Sequence, residues 1–199
     1  MSNVILIGAA GAGKDETFAL LEPYGFYRYA FGDNIRTICR ILRNSGVQEA
    51  YCELFQMFNW NPPQNLWRKL EEFQQIPQED TKDRRLLQEL GTYCREYDDY
   101  IWIRPLRELA EYQSSMCIAD CRRNSEFEQF LGFTSIYIDA PLELRLERLR
   151  MRDGAIRESD LKHKAEQEIE LLRERCDYIV DNSGTIDELK GQLLSCLKL

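Results

Sequence analysis

The stretch Val4-Ile5-Leu6-Ile7-Gly8-Ala9-Ala10-Gly11-Ala12-Gly13-Lys14-Asp15 opens as an apolar run, turns abruptly into small residues and ends on a lysine and an aspartate. A short apolar run bounded by glycine reads as a buried strand. Gly8 and Gly13-Lys14 have the spacing of a phosphate-binding P-loop, in which glycines let backbone N–H groups curl around phosphate oxygens and the lysine reaches the β- and γ-phosphates. The helix predicted from Asp15 to Leu21 points the positive end of its dipole at the same anion. Asp15 stands where this motif usually carries a serine or threonine whose hydroxyl ligates Mg²⁺, and a carboxylate can hold the ion directly or through water. The competing reading is an ordinary strand-to-helix turn that a lysine happens to follow.

A chain of 199 residues with 44% hydrophobic content can bury the core of one domain. Its formal net charge of -8 repels polyanions, which argues against a general nucleic-acid or membrane-surface binder and requires any phosphate site to be locally basic. The seven cysteines, Cys39, Cys52, Cys94, Cys117, Cys121, Cys176 and Cys196, are scattered and never spaced as C-x-x-C. That pattern fits reduced thiols in a cytoplasmic protein better than disulfides or zinc. No basic-apolar-small leader pattern is seen, because the run from Val4 meets glycine almost at once, and no segment approaches membrane-spanning length.

Glu22-Pro23-Tyr24-Gly25 ends the first helix, and Phe26 to Phe31 reads as a second strand. Gly32-Asp33-Asn34 is expected as a turn capping a helix from about Asn34 to Arg43, which puts Asp33 and Arg36 at the carboxyl end of a strand, where open α/β sheets place ligands. From Ser45 to Tyr112 the pattern is helical, with breaks expected at Asn61-Pro62-Pro63, near Pro77 and at Pro105. This stretch reads as a substrate-binding insertion, with a plain helical cover as the alternative. Within it Arg85, Gln88, Thr92 and Arg95 recur at helical spacing on one face able to donate hydrogen bonds and positive charge. Gly91 on the same helix costs about 1 kcal/mol relative to alanine, which close approach of a ligand or a neighbouring chain segment would explain.

Ser115 to Ala119 reads as an apolar strand ending at Asp120, an acid suited to orient Mg²⁺ or its water shell beside the P-loop, or else a turn aspartate. A helix from Cys121 to Leu131, a strand from Thr134 to Asp139 and a helix opened by Ala140-Pro141 follow. Arg145, Arg148 and Arg152 then recur at helical spacing, with Arg150 and Arg157 nearby, as a lid closing over phosphates or as a surface helix salt-bridged by Glu143 and Glu147. His163, the only histidine, sits in a charged run and reads as structural or solvated. Tyr178 to Val180 is a last strand, Asp181-Asn182-Ser183-Gly184 a turn expected on the side of a nucleotide base, and Thr185 with Glu188 a capping box for the terminal helix. Strands alternating with helices imply a parallel sheet with right-handed crossovers.

The chain resembles the deoxynucleoside monophosphate kinases of the kind encoded by bacteriophages, within the P-loop nucleoside monophosphate kinases. The likeness is carried by Gly13-Lys14-Asp15, Phe31-Gly32-Asp33 to Arg36, Leu87-Gln88-Glu89-Leu90-Gly91-Thr92 with Arg95 and Trp102, Asp120-Cys121-Arg122 with Glu126, His163 with Glu166, and Asp181-Asn182-Ser183-Gly184. Glu16 departs from it, intervening between the lysine-aspartate pair and Thr17. The tail from Arg145 to Leu197 also resembles dephospho-coenzyme A kinase, which lacks the pattern from Gln88 to Trp102.

The resemblance implies a P-loop kinase-like α/β fold of three layers, α/β/α, with a central parallel sheet of about five strands. Chain 1–199 would form a single P-loop kinase domain, with a helical insertion over about 45–112 and a lid over about 150–165. It further implies transfer of the γ-phosphoryl group of Mg-ATP to a deoxynucleoside monophosphate, a small-molecule nucleotide substrate, and a homodimer is left open. Nucleotide would be held by Gly8, Gly11, Ala12, Gly13, Lys14, Asp15, Glu16, Arg145 and Asn182. Acceptor would meet Asp33, Arg36, Arg85, Gln88, Thr92, Arg95 and Trp102. Lys14, Asp120, Arg148 and Arg152 would serve catalysis, and Asp15 and Asp120 the Mg²⁺ ion. The alternatives are a dephospho-coenzyme A kinase-like enzyme and a non-catalytic ATP-binding sensor.

Overall fold

The computed structural model describes residues 2–58, 60, 62–78, 83–154 and 164–199, and the chain divides into two compact units, one of Met1–Ala30 with Tyr112–Leu199 and one of Phe31–Glu111. The elements run β1 (Val4–Ile7), α1 (Lys14–Leu21), β2 (Tyr27–Tyr29), α2 (Phe31–Asn44), α3 (Val47–Phe58), α4 (Leu66–Gln74), α5 (Arg84–Tyr97) and α6 (Arg104–Leu109). They continue as β3 (Met116–Cys121), α7 (Asn124–Glu128), β4 (Thr134–Asp139), α8 (Leu142–Asp153), α9 (Lys164–Leu172), β5 (Tyr178–Asp181) and α10 (Ile186–Leu197). The lid expected over about 150–165 falls largely outside the described residues, as do Arg157 and His163.

The first unit is built on one five-stranded sheet of order β2-β3-β1-β4-β5, parallel throughout. Every residue of β1 is buried, because a central strand of a parallel sheet is covered on both faces and has no solvent side to require polar alternation. Val4 and Leu6 face a core shared with Leu21 of α1 and with Leu189 and Leu193 of α10. Thr185 and Glu188 form the expected capping box at the start of α10. The outer edge of β5 is closed at Asp181 by the Gln192 amide, which accepts from its N–H at 3.0 Å and donates to its carbonyl at 2.9 Å.

Two helices here differ from the sequence expectation. Helix α7 is shorter than the Cys121 to Leu131 read from sequence, since β3 continues through Cys121 and the buried Glu126 carboxylate folds back to accept from the N–H groups of Arg122 at 2.8 Å and Arg123 at 3.1 Å. Helix α2 begins at Phe31, so Gly32-Asp33-Asn34 form its first turn rather than a loop before it. Phe31 is buried and anchors the start, and Asp33 suits the positive end of the helix dipole.

The second unit thus starts at Phe31, ahead of the position near 45 read from sequence, and contains no strand among its described residues. It has a core of its own, in which Ile38, Leu42, Leu54, Leu66, Leu70, Leu86, Leu90 and Trp102 pack together. Pro105 opens α6 at its first turn instead of breaking a helix, where its missing N–H would have had no partner anyway. A mostly buried ion pair ties the helices together. Arg43 of α2 donates from Nε and Nη2 to Asp83 at 2.7 and 3.1 Å and from Nη1 to the Gln74 carbonyl at 3.0 Å, while Gln74 donates back to the Leu42 carbonyl at 3.2 Å.

Removing one partner of such a pair leaves an uncompensated buried charge. Arg43→Ala is therefore expected to destabilise the helical unit by about 3 kcal/mol. Trp60, Trp67 and Trp102 all lie in that unit, so urea unfolding followed by tryptophan fluorescence reads it directly. An unchanged midpoint would show the pair to be as inconsequential as an exposed one.

Candidate phosphate-binding site

The loop between β1 and α1 is closed from behind by three separate elements. A Cβ on Gly8 would lie 2.7 Å from the Ile138 carbonyl of β4, and one on Gly11 would lie 2.5 Å from the Arg145 carbonyl of α8. One on Gly13 would collide with the side-chain amide of Asn182, just past β5. Gly11 and Gly13 also have φ of 79° and 98°, in the left-handed region that glycine occupies without a Cβ penalty. The glycines are required by what lies outside the loop as much as by an anion inside it.

The Lys14 ammonium donates to the carbonyl of Gly8 and to that of Ala9 at 3.2 Å, so it folds back over the loop's entry. Asp15 and Glu16 are exposed in the first turn of α1, where negative charge is favoured. Asp15 has Arg28 of β2 at 3.8 Å. Thr17 is fully buried and its hydroxyl donates to the Gly13 carbonyl at 3.0 Å, so this hydroxyl helps to hold the helix start. Asp120 lies on a bulge, for Ile5 pairs with Ile118 but Ile7 with Cys121, leaving one extra residue of β3 between them. Bulges re-aim side chains next to active sites.

No cluster of three or more His, Cys, Asp and Glu able to hold a metal by itself occurs among the described residues. Mg²⁺ needs none, because it binds through one or two carboxylates with phosphate and water oxygens. The hard oxygen donors Asp15 and Asp120 fit that chemistry.

Helix α8 brings its arginines to the site unequally. Arg148 donates from Nη2 to the Asn182 carbonyl at 3.0 Å and from Nη1 to the Ala12 carbonyl at 3.5 Å, so its guanidinium rests on the loop. Arg145 backs Gly11 with its carbonyl, and its buried Nε has no hydrogen-bond partner among the described residues. Arg152 is exposed. Asn182 is 6% exposed, and its side-chain amide donates to the Ala12 carbonyl at 2.7 Å. Sequence reasoning missed Arg173, which pairs with Asp139 at the end of β4 at 3.0 Å and lies 5.9 Å from the Tyr137 ring centre. Its one sequence signal was a basic residue shortly before the last strand.

Burial disfavours the thiolate at the cysteines of the core. Burial pushes the Cys39 and Cys117 thiols up to about 12 and the Cys121 thiol well above its ordinary value. All seven are free thiols.

In the helical unit Arg85, Gln88 and Thr92 of α5 are exposed and Arg95 is half-buried, on the common face expected from their spacing. Asp33 and Arg36 pair with each other in the first turns of α2, each about half exposed. Trp102, expected to meet the acceptor, is instead a core residue at 1% exposure whose indole N–H donates to the Gly91 carbonyl at 3.3 Å. Gly91 has a packing reason of its own, since a Cβ there would lie 3.2 Å from both the Arg95 guanidinium and Ile35.

No protein-family model matches the chain. Over 64 residues it is 45% identical to the dephospho-CoA kinase of Deinococcus radiodurans, a match spanning 32% of this chain and 31% of the relative. The chain thus spans about a third of the length of the curated relatives it matches. Among solved structures it aligns over 99% of its length with 96% of TT1252 from Thermus thermophilus, at a TM-score of 0.59 and 19% identity. It aligns over 99% with 91% of a gluconokinase from Sinorhizobium meliloti 1021, at a TM-score of 0.52 and 18% identity. These likenesses establish the fold as a three-layer α/β architecture around a central five-stranded parallel sheet.

The packing behind the loop yields a direct test. Gly11→Ala sets a methyl group against a backbone carbonyl that cannot rotate away, so the loop must shift, and affinity for ATP measured by titration calorimetry is expected to fall roughly tenfold or more. Gly132→Ala, where a Cβ meets nothing within 4 Å, should leave it unchanged. Equal affinities in the two variants would remove this loop from the binding site.

Proposed function

We propose that this protein is an ATP-dependent kinase acting on a small molecule, with the β1–α1 loop as its phosphate cradle. The observation that supports this most is the convergence of Lys14 and Arg148, from two different helices, on carbonyls of one glycine loop. Backbone N–H groups of the loop and the start of α1 would hold the phosphates. Lys14 and Arg148 would neutralise charge that develops on the transferred group, so the work is positioning and electrostatics. Mg²⁺, when bound through Asp15 and Asp120, would supply charge neutralisation at the phosphate oxygens.

Dephospho-coenzyme A is the first acceptor in this reading, on the strength of the local identity to the curated kinase of that name. It offers a ribose hydroxyl, which must lose its proton on attack, and in this reading Asp120 of the sheet unit is the carboxylate that would take it. A deoxynucleoside monophosphate is the second acceptor, supported by the α5 face, where Gln88 has an amide suited to a base edge and Arg95 a fork suited to phosphate. Its acceptor oxygen is already anionic near neutral pH and needs no base.

A coupled assay for ADP formation across dephospho-coenzyme A and the four deoxynucleoside monophosphates separates these readings. ADP release that depends on one acceptor class supports that acceptor, and ATP binding without turnover on any of them supports the sensor alternative. Lys14→Ala should abolish turnover with the fold intact, and unchanged turnover would sink the kinase assignment. Arg148→Ala should lower kcat by more than it weakens ATP binding. With deoxynucleoside monophosphates, Gln88→Leu should reorder the base ranking by about 1 to 3 kcal/mol, while Arg95→Lys should raise every acceptor KM alike. Rankings and KM values unmoved by either change would exclude α5 as the acceptor face.

A further inference from the structure

Asn182 reads from sequence as a residue beside the nucleotide base, yet its side chain is nine-tenths buried and committed elsewhere. Its amide donates to the Ala12 carbonyl at 2.7 Å, across 170 positions of sequence. Arg148 reaches the same carbonyl at 3.5 Å and is itself held by the Asn182 carbonyl at 3.0 Å. Both donors therefore lie on one side of the peptide that joins Ala12 to Gly13.

That peptide is planar and trans, so its carbonyl oxygen and its N–H point in opposite directions. Holding the Ala12 oxygen toward Asn182 directs the Gly13 N–H the other way. Without such a hold this peptide could turn, because Gly13 tolerates both signs of φ. A turned peptide would present a carbonyl where an anion needs a donor.

We propose that Asn182 is a positioning residue that locks the Ala12–Gly13 peptide with the Gly13 N–H presented to phosphate, rather than a reader of the base. This rests on the kinase reading of the same loop. It also accounts for Gly13 from outside, since any Cβ there would collide with the Asn182 amide.

The test uses two anions that differ by a nucleoside, tripolyphosphate and ATP, each titrated calorimetrically without metal into wild type, Asn182→Ala and the isosteric Asn182→Asp. A carboxylate keeps the shape but cannot donate to a carbonyl. Both variants should lose affinity for both anions by the same factor, roughly tenfold or more, with melting temperatures showing that the fold persists. Loss for ATP alone would make Asn182 a base reader and overturn the inference, and so would no loss for either. Wild type binding neither anion would overturn the kinase reading and this inference with it. A second measurement needs no variant: in ¹⁵N-labelled wild type the Gly13 amide proton should move downfield on adding tripolyphosphate, and an unmoved resonance overturns the inference.

Discussion

The absence of room behind the phosphate loop is the constraint on which the rest of the sheet unit depends. A carbonyl of β4, a carbonyl of α8 and the amide of Asn182 all lie where a side chain at Gly8, Gly11 or Gly13 would have to go. Those three groups all lie far in sequence from the loop, and the sheet order β2-β3-β1-β4-β5 sets β4 beside β1, with β5 next to it. The loop is accordingly a product of the whole unit. Its local sequence permits the shape, and the neighbouring elements impose it.

That division explains what could be read from the residues and what could not. Strand β4 was expected over Thr134 to Asp139 and occupies those residues, and the Thr185 and Glu188 capping box is present, because both signals are local. The start of α2 was misplaced because glycine at position 32 argues for a turn, whereas the burial of Phe31, a tertiary effect, draws the helix back from Asn34 to Phe31. Trp102 was assigned to the acceptor by resemblance, which carries no information about burial. The contacts of Asn182 with Ala12 and of Arg173 with Asp139 span long sequence separations, and no spacing rule points to either.

The arginines of α8 show how charge counting alone would mislead. Three at helical spacing invited a single role, yet Arg148 lies on the loop, Arg145 serves it chiefly through a backbone carbonyl, and Arg152 is exposed. Equal charge has not given them equal placement, and placement matters because a guanidinium stabilises an anion from within hydrogen-bonding reach. The overall negative charge sharpens this selectivity, because it leaves the site's attraction for phosphate to a few local cations and to oriented backbone N–H groups.

In each unit a buried side-chain N–H donates to a carbonyl at or next to a glycine: Asn182 to Ala12, next to Gly13, in one, and Trp102 to Gly91 in the other. A glycine is needed where another group must come close, but its freedom would let the peptide wander. A donor from the core, already desolvated and surrounded by packed atoms, removes that freedom at the cost of one hydrogen bond it would otherwise have to satisfy elsewhere. Asn182 and Trp102, both expected to touch ligands, are thus found holding backbone in place instead. Both are buried, where a reading of exposed charge and motif does not look.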